Sequence, residues 1–95
     1  MGGQTKYGDK DCKNKVWNYA SPIKGKNPEL YRKDPYGKEL YYHSYGGSGQ
    51  KGWQIDHITP QSRGGSDNIR NLQALQSNIN MSKGNTLVKK SRHSK

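Results

Sequence analysis

Apolar and polar residues keep a regular rhythm over only one long part of the chain, and regular structure is predicted there. Trp53 and Ile55 alternate with Gln54 and Asp56, the period of two that marks a half-buried strand, and this strand would deliver Asp56 and His57 at its end. A loop follows, in which Gly64 and Gly65 permit backbone angles that a side chain would forbid. Leu72 and Ala74 then alternate with Asn71 and Gln73, a second short strand. From about Ser77, read as an N-cap, the period lengthens: Leu75 and Ile79 stand four apart on one helical face, and Asn80 and Lys83 three apart on another. The predicted order is strand, loop, strand, helix.

Upstream, "KVWNYASPIKGKNPELYRKDPYGKELYYHSYGGSGQKG" is interrupted by Pro22, Pro28, Pro35 and several glycines, so only short helices or strands fit. Tyr41 to Tyr45 reads as a strand. No repeat or linker divides the chain. The expected organisation is a flexible basic N-terminus at 1–14, one domain at 15–85, and a basic tail at 86–95, with both ends fraying.

Composition first argues against folding. Hydrophobic residues are 27%, Phe is absent and the net charge is +10, values in the range of disordered chains. Distribution answers this, because two Trp and seven Tyr add bulk and most aliphatic residues fall between Trp53 and Ile79. A chain of 95 residues buries only about 60 to 65% of its unfolded surface, so the core is expected to be small.

The charge points to a polyanionic partner. Seventeen Lys and Arg stand against seven Asp and Glu, with a pI near 9.8, and each neutralised phosphate releases a counterion. Nucleic acid is the expected partner. No stretch joins a basic face to an apolar stripe or approaches the ~20 apolar residues of a membrane span. No secretory h-region is visible, and Lys6 fills the position where a myristoylation motif wants Ser or Thr. Cys12, the single cysteine, allows neither an intrachain disulfide nor a Cys-x-x-Cys knuckle. The expected location is the cytoplasm, or the nucleus if the source is eukaryotic.

The predicted fold would bring the end of the first strand and the exposed helix face together, and with them Asp56, His57 and Asn80. Asp and Asn offer oxygen ligands that suit a hard divalent cation such as magnesium or manganese. His57, beside the metal but free of it, would take a proton from water, since imidazole titrates around 6.5. Phosphodiester cleavage needs a base, a Lewis acid and cations to hold the strand. Each residue also has a plain reading: an Asp-His pair after a strand is often only a turn, and Asn-rich loops often only cap. Trp17 and Trp53 are assigned to the core rather than to base stacking. His43 is read as a surface or strand-packing residue before a phosphate-facing one. Arg32 and Asp34 are read as a salt bridge and turn.

Taken in order, "IDHI.P.S.GG", "NLQAL" and "N..KG" resemble the signature of the HNH nucleases of the ββα-metal superfamily, over roughly 52–84. The upstream "W", "KG.NPELYRKDPYGKELY" and "YG" resemble the N-terminal half of small free-standing HNH proteins, from about residue 16. The resemblance implies an α+β fold, a ββα-metal core with an N-terminal extension of short segments. It implies His57 as general base, Asp56 and Asn80 as ligands of one divalent ion, Asn71 as a brace for the loop, and Lys83 as a contact to phosphate or developing charge. Where many relatives carry paired Cys-x-x-Cys zinc knuckles this chain has none, with Gln76 and Ile79 at the second pair's positions. Asn80 stands where others have His, so magnesium or manganese is expected ahead of zinc or nickel.

The implied function is a metal-dependent DNA endonuclease of low sequence specificity, nicking or cutting both strands, acting as a monomer or homodimer with a protein partner able to add specificity. Arg63, Arg70, Lys83, Lys89 and Lys90 are the cations expected on phosphate. The alternative is an inactive basic nucleic-acid-binding protein on the same fold.

Overall fold

The computed structural model describes residues 10–83 and residue 91, the side chains of 81–83 excepted. Helix α1 (Lys10–Tyr19) is followed by strands β1 (Ser21–Pro22), β2 (Tyr31–Lys33), β3 (Glu39–Tyr41), β4 (Trp53–His57) and β5 (Leu72–Gln76) and by helix α2 (Ser77–Lys83). Short 3-10 turns occupy Tyr42–Ser44, Gln61–Arg63 and Ile69–Asn71. β1, β2 and β3 form one antiparallel sheet in that order, and β4 pairs with β5 in a separate antiparallel hairpin. The architecture is α+β, and strand, loop, strand and helix follow one another from Trp53 as predicted.

Helix α1 begins at Lys10, inside the stretch expected to be a flexible N-terminus. Asp11 sits in its first turn, where a negative charge complements the helix dipole. At its other end Arg32 supplies the cap: Nη1 donates to the carbonyls of Asn18 (3.1 Å) and Ala20 (2.9 Å), and Nε to Pro28 (2.8 Å). The last carbonyls of a helix lack intrahelical partners, and Arg32 supplies a donor to that of Asn18. The expected Arg32–Asp34 pair gives way to this cap, and Asp34 has other work. It is 4% exposed; its Oδ1 accepts from the backbone of Tyr36 and Lys38, both at 2.9 Å, and its Oδ2 from Gln76 N at 3.0 Å. One carboxylate thus closes the β2–β3 turn and ties it to the point where β5 becomes α2.

The predicted strand at Tyr41 to Tyr45 stops at Tyr41. Tyr42 N turns to Leu30 O (2.8 Å), the chain enters a 3-10 turn, and Tyr45 returns only as an isolated bridge to Trp53.

Val16 and Trp17 of α1 and Ala20 just after it form the core with Leu40, Trp53, Ile55, Leu72 and Ala74. Both tryptophans are buried, their rings 5.0 Å apart, and each indole N–H finds a carbonyl, Pro28 O for Trp17 and Tyr42 O for Trp53. They are core residues. A buried Trp removes about 150–250 Å² from water, on the order of 4–6 kcal/mol before ordering costs, so two rings compensate for few aliphatics.

Residues directly paired across the hairpin share a face. Trp53–Gln76, Ile55–Ala74 and His57–Leu72 lie on one side, Gln54–Leu75 and Asp56–Gln73 on the other. Helix α1 covers the first face and α2 packs over the second. Covered twice, β5 is buried at all five positions, so the polar face predicted from its alternation is interior. Leu75 accordingly belongs to this strand and not to a helical face. Ser77 begins α2 but does not cap it: Gln76 Oε1 accepts from Ile79 N (3.1 Å), while Ser77 Oγ is buried without a partner among the described residues.

Candidate active site

His57 is the last residue of β4, and its position is set by the loop that returns the chain to β5. Its Nε2 lies 2.7 Å from Oδ1 of Asp67, ten residues on. The His57 side chain is 12% exposed and that of Asp67 47%, so the pair sits at the rim of the hairpin. Gln61 Nε2 donates to the same Asp67 oxygen at 3.2 Å.

Asn71 closes the loop. Its Oδ1 accepts from Thr59 N (2.8 Å), and its Nδ2 donates to Thr59 O (3.0 Å) and Ser66 O (2.7 Å). One amide therefore spans the loop from the strand end to the residue before Asp67. Next to it, Asn68 Oδ1 accepts from Arg70 N (2.9 Å) and caps the turn at Ile69–Asn71. The two glycines serve different needs. Gly64 has φ +90°, left-handed backbone, whereas a Cβ on Gly65 would stand 1.7 Å from Thr59 O and 2.9 Å from Asn71 Nδ2.

Asp56 and Asn80 lie on the α2 side of the hairpin. Asp56 is 3% exposed, and its Oδ2 accepts from Gln73 Nε2 at 2.9 Å, the cross-strand neighbour. Asn80 reaches down from α2, its Nδ2 donating to Gln54 Oε1 at 2.6 Å. Gln54 and Asp56 share a strand face about 7 Å apart along the chain, so Asn80 meets the strand one same-face position before Asp56. Among the described residues no three His, Cys, Asp or Glu side chains gather as metal ligands. The donors on this face are amide and carboxylate oxygens, the chemistry of a hard cation that keeps much of its water.

The remaining expected residues are scattered. Arg63 and Arg70 are exposed on the two 3-10 turns of the loop. Lys83 ends α2, its side chain outside the described part, and Lys89 and Lys90 lie outside the described residues. His43 is exposed, edge-on to the rings of Tyr41 and Tyr42. A cleft of about 720 Å³ runs between Glu39, Lys51 and the start of α2, and neither His57 nor Asn71 is among its described lining residues. A cleft of about 550 Å³ lies between α1 and the loop, with Lys15, Asp67 and Ile69 in its lining.

Residues 44–86 match the family model of the HNH endonuclease. This stretch is an HNH domain. A search of curated proteins and of solved structures found no match. The HNH match takes in β4, the loop, β5 and α2, and with them His57, Asp67, Asn71, Asp56 and Asn80. HNH proteins as a family are nucleases that generally use a divalent metal ion. At the position of the second zinc-knuckle pair, Gln76 makes a hydrogen-bonded brace: its Nε2 donates to Gln50 O (3.0 Å), its Oε1 holds the first turn of α2, and its backbone N–H donates to Asp34.

Sequence reasoning missed Asp67, Gln54, Gln73 and Asp34. Gln54 and Gln73 were recoverable, since pairing the two predicted strands with Asp56 opposite Gln73 places an amide beside a buried carboxylate. Asp67 sits in "GGSDN", where turn-forming composition hides any other role.

Proposed function

We propose that the chain is a divalent-metal-dependent endonuclease that hydrolyses DNA phosphodiester bonds with little sequence preference. The observation that supports this reading is the HNH match over a hairpin whose first strand ends in a buried aspartate and, next in sequence and on the opposite face, a loop-clamped histidine. Asp56 and Asn80 would hold the ion, with water and phosphate oxygens completing its shell. When bound, that ion supplies charge stabilisation at the scissile phosphate and the leaving oxygen.

His57 takes a proton from water as the water oxygen bonds to phosphorus. The P–O3′ bond breaks, the 3′ oxygen gains a proton from solvent, and the products are a 5′ phosphate and a 3′ hydroxyl. Asn71 keeps the loop folded so that His57 does not swing from the phosphate, and a base so placed is worth about 10²- to 10⁴-fold. Arg63, Arg70 and Lys83, with Lys89 and Lys90 beyond the described core, hold the backbone through charge alone. This gives affinity without base readout.

The test is supercoiled plasmid incubated with the purified protein in magnesium, manganese or excess chelator. Relaxed or linear product with either metal and none with chelator is expected. Full cleavage in chelator contradicts the metal mechanism, and no cleavage with any metal leaves a binding protein on this fold.

A further inference from the structure

We propose that the outer face of the β1–β2–β3 sheet is a second contact surface for DNA, where Lys26, Lys33 and Lys51 meet the phosphate backbone. This rests on the reading of DNA as the partner and adds to it a surface outside the catalytic hairpin; Lys26 and Lys33 precede the matched residues 44–86. The strand register assigns the faces. Arg32 and Leu40, paired across β2 and β3, turn inward, Leu40 into the core and Arg32 to the end of α1. The neighbouring pairs Tyr31–Tyr41 and Lys33–Glu39 therefore share the other side, the two tyrosine rings 5.2 Å apart.

Two lysines from elsewhere in the chain are brought over this face. Lys26 comes from the β1–β2 connection, where its N–H donates to Ile23 O at 3.0 Å, and Lys51 from the segment before β4, where its carbonyl accepts from Tyr41 N at 3.1 Å. Both ammonium groups end on one oxygen, Oε2 of Glu39, at 2.7 and 2.5 Å, and both lie over the ring of Tyr31, 4.9 and 5.8 Å from its centroid. They stand side by side and half exposed. Two cations on one carboxylate leave a positive charge over, and Lys33, exposed on the same face, adds another. An ammonium has three donors and no acceptor, so a bond to Glu39 leaves donors for phosphate oxygens. The ring of Tyr31 decides the mode of contact. With lysines over it and Tyr41 against it, it holds the cations in place and does not stack a base. The contact is then with the backbone and carries no sequence. The cleft of about 720 Å³ leads from Glu39 and Lys51 to Asn78 and Ile79 of α2, and Asn80 of that helix donates to Gln54 on the hairpin face that carries Asp56. Helix α2 thus links the lysines to the proposed metal face, and DNA flanking the cut would pass over them.

The experiment is the salt dependence of binding to two labelled DNA duplexes of unrelated sequence, read by fluorescence anisotropy with the full chain in chelator. Each lysine contact to phosphate contributes about 1 to the slope of log affinity against log salt. Lys26→Gln/Lys51→Gln should therefore weaken binding to both duplexes alike and lower the slope by about 2. Its melting temperature should stay at the parent's, because exposed ion pairs stabilise little. Lys26→Arg/Lys51→Arg should keep the parent's slope. Lys10→Gln/Lys13→Gln removes the same charge from α1, which packs on the inner side of the sheet, and should change the slope far less. In the parent, lysine acetylation read by peptide mass should show Lys26 and Lys51 protected by DNA, a readout that needs no variant. The proposal is overturned if the Lys26→Gln/Lys51→Gln variant keeps the parent's slope, if it loses no more than the α1 variant, or if DNA leaves both lysines unprotected. Should the parent itself bind neither duplex, DNA as the partner falls and this proposal with it.

Discussion

Asp34 lies outside the matched HNH residues, yet its replacement should loosen the whole molecule. In Asp34→Asn the shape is kept and one acceptor becomes a donor. If the amide oxygen stays with Tyr36 N and Lys38 N, the new NH₂ faces Gln76 N–H; flipped, it faces the two turn donors. Either way a donor meets a donor at a site 4% exposed. A hydrogen bond to a charged group contributes about 1.5–3 kcal/mol, and leaving its buried partner unmatched costs a similar amount, so a loss of about 2–3 kcal/mol is expected. At roughly 4–8 °C per kcal/mol for a domain of this size, the melting temperature should fall by about 10–20 °C. Asp34→Ala, which strips all three donors, should cost about 3–5 kcal/mol. Tryptophan fluorescence is a suitable probe, because Trp17 of α1 and Trp53 of β4 share one core and a single transition should report both. A melting temperature for Asp34→Asn within about 3 °C of the parent's would refute the reasoning, because the three distances then describe bonds that water replaces without loss.

Two further predictions test the loop and the sheet. Gly65→Ala places a methyl 1.7 Å from Thr59 O, backbone that must move, so a cost of about 1–3 kcal/mol and a loss of plasmid cleavage are expected together; unchanged melting and cleavage would show that the loop has room. Glu39 receives Lys26 and Lys51 at 2.7 and 2.5 Å, and these bonds hold its carboxyl below the ordinary value of 4.5. A lowered folded pKa means its contribution is present above that ordinary value and is lost as pH falls through the folded one; Glu39→Gln should therefore flatten the fall in urea midpoint below pH 4.5, and an unaltered slope would contradict the assignment.

The hairpin and its helix were legible because their pattern is local: a period of two at Trp53–Asp56 and again at Leu72–Ala74, then a change of period near Ser77. The errors arise where a second layer covers a face that the pattern shows as polar. Gln73 and Asp56 read as surface residues and are buried because α2 lies over them, so their side chains bond to each other. The cap of α2 was misplaced by one residue, since Gln76 is a weak capping type and takes the role only because Asp34 and Gln50 hold it. The ion pair expected between Arg32 and Asp34 failed for a related reason. Residues two apart on a strand share a face, but the open carbonyls of α1 and the open N–H groups of the β2–β3 turn, distant in sequence, bind each more strongly. His57, Asn71 and Asn80 are named from the motif, whereas the contact of Asp67 with His57 is visible only in the folded loop.

The most direct test is the rate of supercoiled-plasmid cleavage measured against magnesium concentration for the parent, His57→Ala and Asn80→Ala together. The parent should cut, and His57→Ala should cut about 100- to 10,000-fold more slowly with the same half-maximal magnesium. Asn80→Ala should lose activity and need more magnesium to reach half its own maximum. If both variants cut as fast as the parent, with a mock purification free of nuclease, the site has been assigned to the wrong residues.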